Sequence, residues 1–164
     1  MAIIEKEYLG LAAEYAVASQ LCRNDMYAQL TLGTRKQTDL LIQTGTGVLL
    51  RIQVKAKQGK VWPNCKGIWG EDMVLVLVDF EGKQDTERPD FYVLTSGDWV
   101  TLVKTVQADR IATGEVIIGN QNQPVFVRNI DRKGRPCEGM GVSVSQVKTH
   151  REAWDKIKAM RSNR

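Results

Sequence analysis

The sequence predicts an α/β (or α+β) domain in which helices flank a mixed central β-sheet. Three observations predict this class: an amphipathic helical pattern near the start, a strand that alternates polar and apolar residues, and then a continuous apolar run. At 164 residues the chain is long enough for a sizeable core, and we expect one domain over residues 1–164.

The first element is a helix from about Lys6 to Arg23. At about 100° per residue, Glu14 lies in the middle of an apolar stripe. The neighbours on its face are Gly10, Leu11, Val17, Ala18 and Leu21. An unpaired carboxylate there is unfavourable unless it is protonated. An ion pair with a lysine or a shifted helix phase would explain this position structurally, and a metal site would explain it functionally.

The next two elements are the strands of a hairpin, the first of which opens at Asp39. The second strand, from Leu50 to Lys57, alternates apolar with polar residues, and this period of two places Gln53 and Lys55 on one face. Asp39 can share that face only if the hairpin has an odd-numbered loop or a bulge. We therefore expect the Asp39 carboxylate, the Gln53 amide and the Lys55 amine to converge, with Glu14 close by. A solvated strand lysine is the ordinary alternative for Lys55.

The middle of the chain continues the alternation of elements. The segment from Gly59 to Gly70 is predicted to be a loop, whose two tryptophans either pack or stack on bases. A strand buried on both faces follows from Met73 to Phe80, and another strand runs from Phe91 to Thr95. Ser96 is predicted to cap a short helix that begins near Asp98.

The C-terminal part is predicted to hold two short strands, 116–118 and 125–127, followed by a loop from Arg128 to Gly141. A capping box from Thr149 to Glu152 is expected to open a terminal helix. The residues expected to turn inward on that helix are Trp154, Ile157 and Met160.

Three segments resemble the PD-(D/E)XK nuclease superfamily: residues 10–15 (GLAAEY), 39–42 (DLLI) and 52–55 (IQVK). This superfamily includes restriction endonucleases, Holliday-junction resolvases and some homing endonucleases. The resemblance covers about the first third of the chain. Thr38 stands where the family motif has proline, and Gln53 replaces the second acidic ligand, as in the Q-x-K branches. The resemblance implies a restriction-endonuclease-like sheet and a DNA-cleaving site.

The implied chemistry is metal-assisted hydrolysis of a phosphodiester bond by the predicted catalytic residues Glu14, Asp39, Gln53 and Lys55. Mg²⁺ suits it, since this ion binds through one or two carboxylates and keeps several waters, and Mn²⁺ is expected to substitute. Asp39 would be the principal ligand, with Gln53 and the Val54 carbonyl as neutral ligands and Glu14 as a second carboxylate. Lys55 would orient or deprotonate the attacking water, or stabilise the charge that develops on the phosphorane.

The composition narrows the alternatives. Three cysteines without a C-x-x-C pair favour neither a disulfide framework nor a zinc site, and suit a reducing cytoplasm. The single histidine, His150, makes a histidine–metal nuclease or a Ser-His-Asp hydrolase hard to assemble. We expect a cytoplasmic protein with no membrane association, because the sequence has no long apolar stretch and no signal-peptide pattern.

The charge is unevenly distributed. Residues 128–164 hold ten Lys/Arg and four Asp/Glu, a local charge of +6, which leaves −2 of the total +4 for residues 1–127. A basic C-terminal portion suits a nucleic-acid partner, although basic tails are also common on other proteins. The predicted DNA contacts are Arg132, Lys133, Arg135 and Lys57. For the cationic loop around Arg132, an ordinary solvated loop remains an equal alternative.

The sequence thus predicts a Mg²⁺-dependent endonuclease acting on double-stranded DNA, either site-specific (homing or restriction type) or structure-specific. Cutting both strands with one small site per chain favours a homodimer or a higher even homo-oligomer. The alternative is a catalytically degenerate DNA-binding or assembly protein on the same scaffold, which the replacement of a carboxylate by Gln53 keeps open.

Overall fold

The computed structural model describes residues 3–31, 38–43, 47 and 49–162. It confirms the predicted class, because a mixed central sheet is flanked by helices. The turn that was expected to set the hairpin register, around residues 44–46, lies outside the described residues. The helices are α1 (Lys6–Arg23), α2 (Ser96–Val106), α3 (Ala108–Ala112), α4 (Val144–Val147) and α5 (Asp155–Ser162). The strands are β1 (Ala28–Leu30), β2 (Leu40–Gln43), β3 (Leu49–Lys57), β4 (Val61–Cys65), β5 (Met73–Asp79), β6 (Asp90–Thr95), β7 (Val116–Ile118), β8 (Pro124–Ile130), β9 (Pro136–Glu138) and β10 (Met140–Ser143).

The central sheet has the strand order β1-β2-β3-β5-β6. Strand β3 is antiparallel to β2 and parallel to β5, so the sheet is mixed. Every residue of β5 is buried, as its continuous apolar run predicted. The two middle strands, β3 and β5, therefore have protein on both faces.

Two apolar cores lie on opposite faces of this sheet. Helices α1 and α5 pack on one face, where side chains such as Val17, Val76 and Trp154 are buried together. Helix α2 and strands β4 and β10 cover the other face, where Trp62 and Trp99 are fully buried. Alternate residues of β5 supply the two cores, as the period of a strand requires, whereas Leu50, Ile52 and Val54 of β3 join only the core beneath α1.

Helix α1 turns a narrower face inward than the sequence predicted. Its buried residues are Leu9, Ala13, Val17 and Leu21. Glu14 lies at the border of this stripe and is half-buried, while Leu11 is 47% exposed. The prediction that Glu14 lies in the middle of the apolar stripe is therefore wrong, because the helix is rotated slightly from the predicted orientation. The carboxylate reaches solvent from the edge of the helix–sheet interface.

The segment 59–70 is not a simple loop. Residues Val61–Cys65 form strand β4, which pairs antiparallel with β10 across a register shift between Met140 and Val142. The Trp62 indole N–H donates to the Val78 carbonyl at 3.0 Å, so this tryptophan packs in the core and does not offer a stacking surface for bases.

Strands β7, β8 and β9 form a second, three-stranded antiparallel sheet. Strand β8 continues to Ile130, three residues beyond its predicted end, and the loop predicted from Arg128 to Gly141 is instead a tight turn between two strands. Gly134, with φ +73°, lies in that turn, where glycine adopts the left-handed conformation without steric penalty.

The helix caps differ from the predicted ones. Thr95 caps α2 in a capping box with Asp98, so the cap is one residue before the predicted Ser96. A second capping box opens α4, between Ser143 and Gln146. The predicted box at Thr149 is absent from the described structure, where residues 148–150 form a 3₁₀ turn before α5 begins at Asp155.

The three cysteines are free thiols. In the described part of the chain, no helix has the length and apolar character needed to cross a bilayer.

Candidate active site at the free edge of strand β3

Asp39 is held in place through its backbone on two sides. Its N–H donates to the Ile52 carbonyl at 2.9 Å, and its carbonyl accepts the Thr31 N–H at 2.9 Å. The register also pairs Leu40 with Ile52, so two successive residues share one partner on β3. This local irregularity, at the start of β2, orients the Asp39 side chain along the edge of β3.

The edge of β3 beyond Ile52 has no strand partner on the β2 side among the described strands, because β2 pairs only with residues 49–52. The Val54 N–H on this edge donates to the Asp39 carboxylate at 2.6 Å. Since the N–H and the carbonyl of one strand residue point to the same edge, the Val54 carbonyl faces this side as well. A carboxylate and a backbone acceptor therefore meet at an open strand edge.

An open cavity of about 320 Å³ lies at this edge. Glu14 borders it from the helix side of the sheet, and Lys55 borders it from the opposite side. Asp39 and Val54 lie between them. The structure thus brings together four of the sequence-predicted site residues around one cavity.

Both acids have raised pKa values. Burial raises the pKa of Asp39, although the hydrogen bond from Val54 and the charge of Lys55 partly oppose that shift. Burial and the nearby Asp39 charge raise the pKa of Glu14. Two carboxylates whose ionised forms are disfavoured, by burial in both and also by the Asp39 charge in Glu14, form a site that a cation would stabilise.

Lys55 is half-buried and makes no ion pair or hydrogen bond within the described structure. The Lys55 charge nevertheless acts on Asp39, whose pKa it lowers. An ammonium group that acts on Asp39 without a hydrogen bond or ion pair among the described residues remains available to a ligand in the cavity.

Gln53 does not line this cavity. Its side chain is only 6% exposed, and its Oε1 atom is buried without a hydrogen-bond partner among the described residues. A buried, unpaired carbonyl oxygen is unfavourable unless a cation, a water or a moved side chain satisfies it. This orphaned oxygen, one residue before Val54, fits a neutral ligand of a metal ion.

Lys57 does not fit its predicted role as a DNA contact. Its ammonium is buried, and it contacts Asp79 at 2.6 Å and Glu81 at 2.7 Å. The ammonium also lies 4.9 Å from the centre of the Trp62 ring. The parallel register pairs Lys57 with Asp79, so the strand arrangement itself brings the two charges together. This lysine is therefore an internal ion-pair partner.

The other three predicted DNA contacts lie in the turn between β8 and β9, and all are exposed. Asp131 organises this turn, because its carboxylate accepts the N–H groups of Lys133 and Arg135 at 2.8 and 2.9 Å. The same carboxylate binds the Arg135 guanidinium at 2.9 Å. The side chains of Arg132 and Lys133 have no such internal partner in the described structure.

Several residues that border the cavity were not identified as site residues from the sequence, among them Lys6, Trp62 and Asn64. Lys6 lies about two turns before Glu14, and this helical spacing was a usable signal. The other two belong to β4, whose position depends on its pairing with the distant β10.

The described residues contain no cluster of three His, Cys, Asp or Glu side chains that could hold a metal ion. A magnesium ion needs no more than one or two carboxylates, so the donor set of two carboxylates and two neutral oxygens is compatible with it.

No model of a known protein family matches the sequence, and no curated protein matches it. Among solved structures, the chain is similar to that of a bacterial homing endonuclease, I-Ssp6803I. The two share 17% sequence identity and a TM-score of 0.49, over 97% of this chain and 96% of that chain. At this identity and TM-score, the likeness establishes neither a family nor a function.

Proposed function

We propose that the protein is a Mg²⁺-dependent endonuclease that hydrolyses phosphodiester bonds in DNA. The observation that carries this proposal is the cavity at the free edge of β3, where Glu14, Asp39 and Lys55 meet. Two carboxylates and one unpaired ammonium are the groups that metal-assisted phosphodiester hydrolysis needs.

The ion would be held by the carboxylates of Asp39 and Glu14 and the Val54 carbonyl, with the orphaned Gln53 oxygen as a further ligand. When bound, such an ion offsets the negative charge of a phosphate and lowers the pKa of an attacking water. The raised pKa values of both acids fit this assignment, since a cation favours the ionised forms that burial disfavours.

Lys55 would act directly on the substrate. Its ammonium acts on Asp39 and has no hydrogen-bond or ion-pair partner among the described residues, so it can donate hydrogen bonds to a non-bridging phosphate oxygen, where charge develops during the reaction. Alternatively, the neutral amine would take the proton from the attacking water. Both roles require the Nζ atom to reach the cavity, which Lys55 borders.

Double-strand cleavage with one such cavity per chain requires two subunits, and we propose a homodimer or a higher even homo-oligomer on double-stranded DNA. Of the two substrate types, a specific sequence is favoured over a branched structure, because the sheet β7–β9 and the basic C-terminal portion leave room for base recognition.

A DNA-binding protein without catalytic activity is the second candidate. Two observations favour it: the replacement of a carboxylate by Gln53, and the absence of a three-residue metal cluster from the described residues. In that case the same scaffold would bind DNA without cutting it.

The deciding experiment incubates the protein with supercoiled plasmid and with branched DNA in Mg²⁺, Mn²⁺ or EDTA. Nicking or linearisation that depends on the metal supports the endonuclease, and faster cutting of branched DNA would select the structure-specific type. Binding without cleavage in every condition selects the second candidate. If the protein neither binds nor cuts either DNA, both proposals fail.

A further inference from the structure

A second cavity, of about 390 Å³, adjoins the candidate active site. Lys66, Arg135 and Glu138 border it, at the end of β4 and along β9. Asn64 borders both this second cavity and the cavity of Asp39. The two spaces therefore meet at one side chain.

Asn64 has a left-handed backbone conformation, with φ +51°. A residue with a side chain adopts this conformation at a cost, and glycine would adopt it freely. The asparagine side chain is exposed and has no hydrogen-bond partner in the described part of the chain. The unused amide beside a candidate active site is therefore available to bind a ligand.

The neighbouring strand fixes the backbone at this point. A Cβ atom added to Gly139 would lie 3.2 Å from the Asn64 carbonyl carbon and 3.1 Å from the Cys65 carbonyl oxygen. This close approach occurs where β4 pairs with β10. The amide of Asn64 is thus presented from a position of β4 that its contact with Gly139 holds in place.

The cations of the second cavity are already paired. Lys66 contacts Glu138 at 2.8 Å, and Arg135 contacts Asp131 at 2.9 Å. Between these pairs and the carboxylates of the first cavity, the Asn64 amide is a neutral donor with no competing internal acceptor. A neutral donor can bind a phosphate oxygen without first breaking an ion pair.

We propose that the two cavities form one path for a DNA strand, and that Asn64 binds the sugar-phosphate backbone next to the scissile phosphate. This inference rests on the proposed nuclease function and adds a contact outside the metal site. Asn64 is a binding residue that positions the strand against Asp39 and Lys55. The amide N–H donates to a phosphate oxygen.

The test compares Asn64→Gly with Asn122→Gly. Both asparagines are left-handed, with φ +51° and +58°, but Asn122 lines neither cavity and donates to the Ile68 carbonyl. Binding of a fluorescent duplex of random sequence is measured in EDTA at several salt concentrations. Asn64→Gly is expected to fold at least as stably as the parent and to bind about tenfold more weakly.

The slope of log affinity against log salt should stay unchanged in Asn64→Gly, because an amide neutralises no phosphate charge. Asn122→Gly should lower Tm and leave DNA affinity unchanged. Asn64→Asp tests the same contact independently, because aspartate also tolerates the left-handed conformation. The added negative charge should weaken binding more than Asn64→Gly does.

Three results would overturn the inference. If the parent cuts DNA and both Asn64 variants bind and cut as the parent does, Asn64 is no contact. If Asn64→Gly instead changes which sequences are cut while its affinity for random duplex is unchanged, the residue reads a base and not the backbone. If the parent neither binds nor cuts DNA, the proposed function fails first and this inference with it.

Discussion

At the scale of single residues, the site combines two carboxylates whose ionised forms are disfavoured by burial with Lys55, which makes no ion pair among the described residues. Asp39 illustrates the consequence. Because its pKa is raised in the folded state, folding favours the protonated form, so its contribution to stability is present at acidic pH and is lost as pH rises through the raised pKa. Ionisation of Asp39 therefore lowers the stability of the fold, and a bound Mg²⁺ would offset this loss.

Asp39→Asn tests this reasoning. Asparagine keeps an oxygen for the Val54 N–H but carries no charge, so Tm at neutral pH in EDTA should equal or exceed that of the parent. Metal-dependent cleavage should fall by more than about a hundredfold, since even residues that only orient a ligand cost up to that much. Mg²⁺ should raise the Tm of the parent but not that of Asp39→Asn. A variant that cuts as the parent does would place the chemistry elsewhere.

Gln53→Glu tests whether the Gln53 side chain is a metal ligand or has only a structural role. A carboxylate at this buried position would lack a partner in EDTA, so Tm should fall there. With Mg²⁺ the same variant should gain more Tm than the parent and remain active, because the carboxylate becomes a ligand. Gln53→Met is the matched control: it removes the orphaned oxygen, so it should lose part of the Mg²⁺ response without losing stability. Equal Mg²⁺ responses in all three proteins would exclude Gln53 from the site.

At the scale of elements, the pairing of β3 with β5 gives Lys57 its partners. Lys57→Met should lower the free energy of unfolding by about 3–5 kcal/mol, because it leaves Asp79 buried without its cation. Lys60→Met, at an exposed position nearby, should change it by about 0.5 kcal/mol or less. Urea titration measures both. DNA affinity of folded Lys57→Met should match the parent, and a reduced salt slope would restore Lys57 as a phosphate contact.

We expect the packing of α5 to depend on pH through His150, which contacts Lys156 of that helix. The Lys156 ammonium lies 2.8 Å from His150 Nδ1 and 2.7 Å from Asp98 on α2. Burial and the Lys156 charge lower the pKa of His150, so the folded state binds its proton less readily than the unfolded state. The stability contributed by neutral His150 is therefore present above its unfolded pKa and is lost as pH falls through the lowered one.

We accordingly expect the Tm difference between the parent and His150→Gln to change between about pH 7.5 and about pH 5.5, with the parent losing more. Glutamine can still accept from Lys156 and does not titrate. Subtracting the variant removes the opposite pH response of Asp39 and Glu14. Parallel Tm curves over this range would exclude His150 as the titrating group.

The elements that the sequence predicted were those with a local signal. Helix α1, strand β5 and the alternation along β3 follow from periodicity over a few residues. Strand β4 was not predicted because Pro63 and Asn64 are residue types typical of loops. Its pairing with β10 makes this segment a strand. The burial of Lys57 was not predicted for the same reason, since its partners Asp79 and Glu81 are distant in sequence. Asp79, the acid that ends the apolar run, was the one local signal for this ion pair.

The candidate site shows the same limit. Glu14, Asp39 and Lys55 carry a chemical signal in their types and spacing, and the structure places them around one cavity. The buried, unpaired oxygen of Gln53 and the position of Asn64 between two cavities depend on tertiary packing, which no short segment of sequence encodes.

At the scale of the whole molecule, the basic C-terminal portion is proposed to bind DNA, and the proposed catalytic residues lie in the first third of the chain. If Arg132, Lys133 and Arg135 touch phosphates, replacing all three with alanine should weaken binding uniformly across sequences. The slope of log affinity against log salt should fall by about 0.9 for each lost contact. Single-turnover cleavage at saturating protein should change little, because the turn lies outside the proposed metal site. Loss of preference at one base pair would instead mark an arginine that reads a guanine.

The charge-matched control replaces three exposed cations elsewhere with alanine: Arg23, Lys104 and Lys148. This control should keep the affinity and the salt slope nearer to those of the parent. If the two triple variants behave alike, net charge alone drives binding, and the turn between β8 and β9 has no special role.

The pairing of β4 with β10 also bears on how the protein is made. Among the described strands β10 is the only partner of β4, and 140 − 65 = 75 positions separate the paired residues Cys65 and Met140. Chains fold from the N-terminus as they leave the ribosome, so all four proposed catalytic residues emerge long before β10 does. Until then the Asn64 side of the cavity has no support. A growing chain therefore carries an unfinished candidate site until β10 has emerged and paired with β4.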